Sequence, residues 1–267
     1  MSRIRDTFGE LKNTGRGGFI PFITAGDPDL VTTELLLVEL AAAGADIIEL
    51  GVPFSDPVAD GEVIQRASER ALQRGVTLSD ALRCVSNAKK QIDVPIVLFS
   101  YLNPLLKFGR DRLANEAKRA GIDAVLVIDL IPEAAGAWIA TFRDHGMDLI
   151  FLVTPTTSDE RLARIAQQAS GFIYAVSRAG VTGVRNELPH DAERLVNRVR
   201  ARTDLPVAVG FGVSTAQQVR QVCRFADAAV VGSAIVSKIE KLTGSPDLVA
   251  QVGNFARSLL KSSPVSQ

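Results

Sequence analysis

Short runs of apolar residues recur along the chain and predict β-strands. These runs are rich in aliphatic and β-branched residues and lack strict polar alternation, which is typical of strands in a parallel sheet that is buried on both faces. The predicted strands are 19–24, 46–51, 94–100, 123–128, 148–152, 171–175, 206–210 and 227–231.

Segments with apolar residues at helical spacing lie between these runs. Several of them end at a glycine that is followed by an aspartate at the start of the next strand, as in Gly44-Ala45-Asp46. Glycine ends a helix readily because it tolerates the left-handed conformation. An additional helix is expected around Ile4 to Leu11. The other clear helical segments are 30–43, 61–73, 110–119, 133–145, 158–168 and 188–200.

Eight strand–helix units predict an α/β fold, a single-domain TIM (β/α)8 barrel that spans residues 1–267. The amino-terminal helix is expected to cover the barrel bottom, and the tail at about 262–267 is expected to be frayed. A doubly wound open sheet is the alternative, but no GxGxxG pattern follows the first strand. Because a TIM barrel has its active site at the carboxyl ends of its strands, the residues at those ends should meet in space.

The composition excludes several classes of partner. Thirty basic and thirty acidic residues balance, without a long run of either sign, so nothing favours binding to nucleic acid or to an anionic membrane. No apolar run is long enough for a membrane span, and the amino terminus lacks an apolar signal core. Cys84 and Cys223 are isolated and resemble buried hydrophobic residues. These features predict a cytoplasmic protein.

Glu49 lies in the middle of an apolar strand, and alternation places it on the same face as Ile47 and Gly51. Burying a carboxylate is costly, so this glutamate needs either a partner or a chemical role. A structural glutamate that is held by an arginine or by backbone amides remains open. Asp60 places a second carboxylate in the loop just beyond the strand, and two acids at one strand end favour acid–base catalysis.

Glycine-rich loops follow three later strands. The loops at 210–214 and 232–236 follow strands seven and eight, where many TIM barrels bind phosphate on free backbone amides and the amino end of a short helix. The segment 177–183 follows strand six and is either a mobile lid that closes over an anion or an ordinary glycine-containing connection.

Elimination narrows the chemistry. His145 and His190 are too few for a histidine-based site, so no metal is implied. The lysines lie away from the carboxyl ends of the predicted strands, which makes a Schiff-base aldolase unfavoured. The chemistry that remains is acid–base catalysis by carboxylates on a phosphorylated small molecule.

The chain resembles the tryptophan synthase α-subunit family almost from end to end. Five segments carry the resemblance in order and spacing: FIPFITAGDP at 19–28, ELGVPFSDPVADG at 49–61, SRAGVTG at 177–183, GFGVS at 210–214 and GSAIV at 232–236. The resemblance implies retro-aldol cleavage of indole-3-glycerol phosphate to indole and glyceraldehyde 3-phosphate.

By that resemblance, Glu49 shuttles the protons, and Asp60 accepts a hydrogen bond from the indole nitrogen. The remaining matched residues are Phe22 and Tyr101 in the indole pocket, Tyr174 near Glu49 or substrate, Thr182 in the lid, and Gly183, Gly212 and Ser233 at the phosphate. For Phe22 and the tyrosines, packing within the barrel is the open alternative.

The resemblance also implies a partner. Indole would pass to a tryptophan synthase β subunit in an α2β2 complex, and pyridoxal phosphate would be present only in that subunit, so this chain needs no cofactor. The residues that match the docking surface are Pro53, Phe54, Asp56, Pro57, Asn103, Pro104 and Leu105. One departure is Glu62, where the family usually has proline.

Three alternatives remain open: a free-standing indole-releasing lyase, a non-catalytic barrel that only activates a β subunit, and a sugar-phosphate isomerase. A sugar-phosphate isomerase would share the loops at 210–214 and 232–236. It would lack the acidic loop, which follows strand two and carries Asp56 and Asp60.

Overall fold

A closed barrel of eight parallel strands is the centre of the molecule. The computed structural model describes residues 2–176, 190–210 and 212–260, and within them the strands pair in chain order, with β8 closing onto β1. The strands are β1 (Gly18–Thr24), β2 (Ile48–Gly51), β3 (Ile96–Ser100), β4 (Ala124–Val127), β5 (Asp148–Val153), β6 (Ile173–Val176), β7 (Val207–Gly210) and β8 (Ala228–Val231). The prediction of a TIM barrel is confirmed, and each predicted strand lies within two residues of the observed bounds.

Helices surround the barrel. They are α1 (Arg3–Asn13), α2 (Leu30–Ala42), α3 (Glu62–Gln73), α4 (Leu78–Ala88), α5 (Leu102–Phe108), α6 (Arg110–Ala120), α7 (Gly136–Asp144), α8 (Asp159–Gln168), α9 (His190–Arg200), α10 (Ala216–Val222), α11 (Ser233–Leu242) and α12 (Leu248–Leu260). The predicted segment 133–145 is divided, because a short 3-10 helix at Pro132–Ala134 precedes α7. Helices α4, α5, α10, α11 and α12 are not among the segments named from the sequence. Thr77 and Asp80 form the capping box of α4. The expected frayed tail lies outside the described residues.

The strands separate two apolar layers, as alternation requires. Ile47 points into the barrel interior, whereas Ile48 and Leu50 pack outward against the helices. Helix α1 covers the bottom of the interior, where the ring of Phe8 lies 5.6 Å from that of Phe172. The predicted position of the amino-terminal helix is therefore correct.

The aspartates that precede several strands fix strand register at the barrel bottom. The Asp46 carboxylate accepts a hydrogen bond from the backbone N–H of Phe19 at 2.8 Å, and the Asp46 N–H donates to the Phe19 carbonyl at 2.9 Å. Arg16 pairs with the same carboxylate. An equivalent pair of hydrogen bonds joins Asp123 to Ile96, and another joins Asp227 to Val207. The glycine–aspartate pattern in the sequence thus marks both the helix end and the first contact between neighbouring strands.

We expect Asp46→Ala to lower the free energy of unfolding by about 2 to 3 kcal/mol, because it leaves the buried Phe19 N–H without an acceptor. Asp93→Ala is the matched control, since the Asp93 side chain is 95% exposed and forms a surface ion pair with Arg3. Urea unfolding of both variants measures the difference. Equal losses in the two variants would contradict the assigned role of Asp46.

Candidate active site

Glu49 lies on β2 and points into the barrel near its carboxyl end. Its register partners on the neighbouring strands are Phe22 and Val97. The residue is 1% exposed, and its Oε1 atom has no hydrogen-bond partner among the described residues. The alternating pattern correctly predicted the face on which Glu49 lies.

Burial raises the pKa of Glu49 to about 8, from an ordinary value of 4.5. No cationic group in the described ranges contributes to this pKa. The reading of Glu49 as a core glutamate held by an arginine therefore finds no support in these parts of the chain. Its carboxyl is largely protonated at neutral pH, and it is available as a proton donor.

Asp60 is held at the amino end of α3, directly before the helix cap residue Gly61. Its side chain is buried, and the Tyr101 hydroxyl donates a hydrogen bond to Oδ2 at 3.2 Å. Burial raises the pKa of Asp60 to about 6, and the bond from Tyr101 opposes that rise. Asp60 is thus still mainly ionised at pH 7, whereas Glu49 is mainly protonated.

Tyr101 connects the acidic loop to the end of β3. Its hydroxyl accepts a hydrogen bond from the backbone N–H of Ala59 while it donates to Asp60, and the ring of Phe54 lies 5.0 Å from the Tyr101 ring. The sequence indicated Tyr101 as a pocket residue only. The structure adds a direct contact with the second acid, which sequence spacing does not reveal because residues 60 and 101 lie on different strand ends.

Two glycines make room for the aromatic side chains of the site. A Cβ atom on Gly51 would lie 2.5 Å from the Phe22 ring, and one on Gly210 would lie 2.0 Å from the Tyr174 hydroxyl. Tyr174 is buried, and its pKa is raised by burial and by the nearby charges of Glu49 and Asp60. The strand-end glycines therefore serve close packing around the acids.

Phe99 and Thr24 are inward-facing residues that the sequence reasoning missed. Phe99 packs edge to face against Phe22 with ring centroids 5.3 Å apart. Thr24 pairs in register with Gly51, and its buried hydroxyl has no hydrogen-bond partner among the described residues. Both occupy strand positions that alternate with outward-facing ones, which is the signal that would have found them.

The ends of β7 and β8 form the candidate phosphate region. The two strands are neighbours, so Gly212 and Ser233 follow adjacent strand ends. Gly212 has φ +80°, and a Cβ there would meet no atom within 4 Å. Ser233 is the first residue of α11, where the helix dipole favours an anion. Thr182 and Gly183 lie outside the described residues, so their roles stay predictions.

Glu62 replaces the usual proline without an evident conflict. It is exposed and is the first residue of α3. Proline is favoured at this position because its N–H is not needed there, and a carboxylate is favoured because it interacts with the helix dipole. Both residue types are compatible with a helix that begins directly after Asp60 and Gly61.

Known proteins match the chain over nearly its whole length. The family model described as tryptophan synthase alpha chain matches residues 8–263. The tryptophan synthase alpha chain of Citrifermentans bemidjiense is 50% identical over 97% of both chains, and that of Geobacter sp. strain M21 is 49% identical with the same coverage.

Solved structures give the same result. The tryptophan synthase alpha chain from Legionella pneumophila subsp. pneumophila superimposes with a TM-score of 0.89 at 37% identity, covering 97% of this chain and 96% of that chain. The aminoacrylate-bound tryptophan synthase from M. tuberculosis has a TM-score of 0.86 at 36% identity, covering 97% of this chain and 100% of that chain.

We expect Glu49→Gln to stabilise the fold in a pH-dependent way. The raised pKa means that the folded chain holds a proton which the unfolded chain has lost, so the contribution of Glu49 to wild-type stability falls as pH rises from about 4.5 to about 8. Each pKa unit of difference corresponds to about 1.4 kcal/mol. The amide of the variant does not titrate, so the stability advantage of the variant should be small at pH 4.5 and grow up to pH 8.

Urea unfolding at several pH values measures this advantage. Glu62→Gln is the control, because Glu62 is exposed and should produce no such growth. A constant difference between wild type and Glu49→Gln across this range would show that the Glu49 pKa is not raised.

Proposed function

This chain belongs to the tryptophan synthase alpha chain family, and from that premise we propose which of its residues perform the chemistry. The family is the lyase component of tryptophan biosynthesis and cleaves indole-3-glycerol phosphate to indole and glyceraldehyde 3-phosphate. The observation that carries the assignment is the buried Glu49 carboxyl on β2, whose Oε1 has no partner among the described residues, followed by a second buried acid, Asp60, in the loop after the same strand.

Glu49 acts as both acid and base in the proposed mechanism. Its protonated carboxyl donates a proton to carbon 3 of the indole ring, which leaves a positive charge on the ring. The resulting carboxylate then removes the proton from the hydroxyl next to that carbon. The carbon–carbon bond breaks as the hydroxyl becomes the aldehyde of glyceraldehyde 3-phosphate, and indole leaves with Glu49 protonated again. A pKa near the working pH suits a group that must give and take a proton.

Asp60 stabilises the charge that develops on the ring. As a carboxylate it accepts a hydrogen bond from the indole N–H, and its negative charge opposes the positive charge of the protonated ring. The Tyr101 hydroxyl holds Oδ2 in place at 3.2 Å. Since Tyr101 contacts Asp60 directly, we assign it to the orientation of the acid as well as to the pocket wall.

The remaining pocket residues bind the substrate. Phe22 and Tyr174 form walls of the pocket. Phe22 is buried and is the register partner of Glu49, and Tyr174 is buried with a pKa that burial and then the charge of Glu49 raise. Gly212 and Ser233 bind the phosphate through backbone amides and the α11 dipole. By family resemblance, Gly183 also contacts the phosphate, and Thr182 belongs to the lid.

The family implies a β subunit partner, and we propose an α2β2 complex in which the β subunit alone carries pyridoxal phosphate. This chain would use neither a cofactor nor a metal, and we place it in the cytoplasm. Across the described ranges, no group of three His, Cys, Asp or Glu side chains could hold a metal ion. No described helix is long and apolar enough to span a membrane.

Exposed apolar residues near the acidic loop support the docking surface. Val58, Leu106 and Ile131 follow strands β2, β3 and β4 and are all exposed. Two expected contacts need correction, because Pro53 and Leu105 are buried and cannot meet a partner without rearrangement. Leu105 faces the core since α5 turns its other side, with Leu106, to the surface.

We expect Glu49→Gln to reduce the kcat for indole release by roughly a thousandfold or more, because the amide cannot transfer the protons. Asp60→Asn should reduce kcat by roughly a hundredfold through lost charge stabilisation. Glu62→Gln is the matched control in the same segment and should retain activity. Release of indole from indole-3-glycerol phosphate, with and without a β subunit, measures all three. Full activity of Glu49→Gln would refute the catalytic roles of the two acids.

We expect Leu106→Asp to abolish activation by a β subunit while the basal rate of the isolated chain changes less than about twofold. The charge would disrupt an apolar interface but lies outside the barrel interior. Leu35→Asp is the matched control, since Leu35 is 52% exposed on α2 and Leu106 is 57% exposed on α5. Normal activation of Leu106→Asp by a β subunit would show that Leu106 does not belong to the docking surface. High basal turnover of the wild type that no β subunit raises would favour a free-standing lyase.

A further inference from the structure

One arginine joins three separate elements of the barrel. Arg70, on α3, directs Nε and Nη2 to the two carboxylate oxygens of Asp27 at 2.8 and 3.0 Å, and Nη1 to Glu240 at 2.7 Å. Asp27 lies in the loop after β1 and is 1% exposed, and Glu240 lies on α11. The guanidinium therefore uses three of its nitrogen atoms to connect the β1 loop, α3 and α11.

Both of these helices begin at the candidate active site. Helix α3 begins directly after Asp60 and Gly61, and α11 begins at Ser233 in the candidate phosphate region. Arg70 and Glu240 lie two turns along these helices. We call Arg70, Asp27 and Glu240 the ion cluster. Between it and the starts of the two helices, Ala67 of α3 and Val236 of α11 pack together with Phe22 of β1 and are buried. A change in the spacing of the helices would thus move Asp60 relative to the phosphate region.

Charge neutralisation alone does not explain this arrangement. Glu240 already has a bidentate partner in Arg66, at 2.8 and 2.9 Å, so it does not require Arg70 as a counter-ion. Asp27 requires one cation, which a lysine would also provide. Only a planar guanidinium can bind Asp27 with two parallel bonds and reach Glu240 at the same time.

We propose that Arg70 is a positioning residue that sets the spacing between Asp60 and the phosphate bound at the start of α11. The inference rests on the proposed function of Asp60 and Ser233. The phosphate anchors one end of the substrate and Asp60 meets its indole end, so the distance between α3 and α11 determines whether the ring nitrogen reaches the carboxylate. Small misplacements of reacting groups lower the rate much more than they lower binding.

Arg70→Lys tests this proposal, with Arg66→Lys as the matched control. Both substitutions keep the charge, both residues lie on α3 one turn apart, and both contact Glu240, but only Arg70 reaches Asp27. With the β subunit present, we expect Arg70→Lys to lower kcat for indole-3-glycerol phosphate cleavage roughly ten- to a hundredfold, while KM changes less than about threefold. Arg66→Lys should remain within about twofold of wild type in both constants.

A second pair of variants covers the case in which Arg70→Lys does not fold, as judged from its thermal unfolding. Glu240→Ala removes the contact between Arg70 and α11 but leaves the Arg70–Asp27 pair intact. Arg66→Ala removes the Arg66–Glu240 pair and leaves both contacts of Arg70 in place. We expect Glu240→Ala to lower kcat at least about fivefold more than Arg66→Ala does.

The positioning role would be overturned if Arg70→Lys and Arg66→Lys had equal kcat values. If Arg70→Lys is unfolded, equal kcat values of Glu240→Ala and Arg66→Ala would overturn it. A wild-type chain that does not cleave indole-3-glycerol phosphate with its β subunit would instead overturn the proposed function itself. The two failures are therefore distinguishable.

Discussion

The burial of one carboxyl group in the barrel interior is the constraint on which the site depends. Glu49 is surrounded by side chains of the strand interior, and no cation in the described residues compensates its charge. The resulting rise in pKa gives the chain an acid that is protonated at neutral pH, while Asp60, one loop away, stays mainly ionised. The difference between their environments supports the different roles that we propose for the two carboxyl groups.

The aspartates that precede strands at the barrel bottom differ in their contacts from the two candidate catalytic acids at the top. At the bottom, Asp46, Asp123 and Asp227 accept hydrogen bonds from backbone amides and contact basic side chains, and they fix strand register. At the top, Asp60 and Glu49 have neither arginine nor lysine as partners within the described ranges. Burying these two acids without a cationic partner reduces stability, and the active site lies at the carboxyl ends of the strands.

The elements that bear the acids are held by contacts that come from elsewhere in the chain. Tyr101 of the β3 end orients Asp60, Gly51 and Gly210 allow the rings of Phe22 and Tyr174 to approach, and the ion cluster of Arg70 joins α3 to α11. The acidic loop alone does not define the site. The geometry of the site depends on the β1 loop, β3, β6, β7 and α11 together.

The sequence by itself determined the barrel and the face of Glu49, and it predicted Glu49 and Asp60 as the two candidate acids. Those features depend on local rules: apolar runs form strands, alternation assigns faces, and glycine ends helices. Tertiary structure alone decided that Tyr101 contacts Asp60, that Leu105 is buried while Leu106 is exposed, and that Arg70 bridges Asp27 and Glu240. These contacts join residues 41, 43 and 170 positions apart, and no local pattern specifies which distant side chains barrel closure brings together.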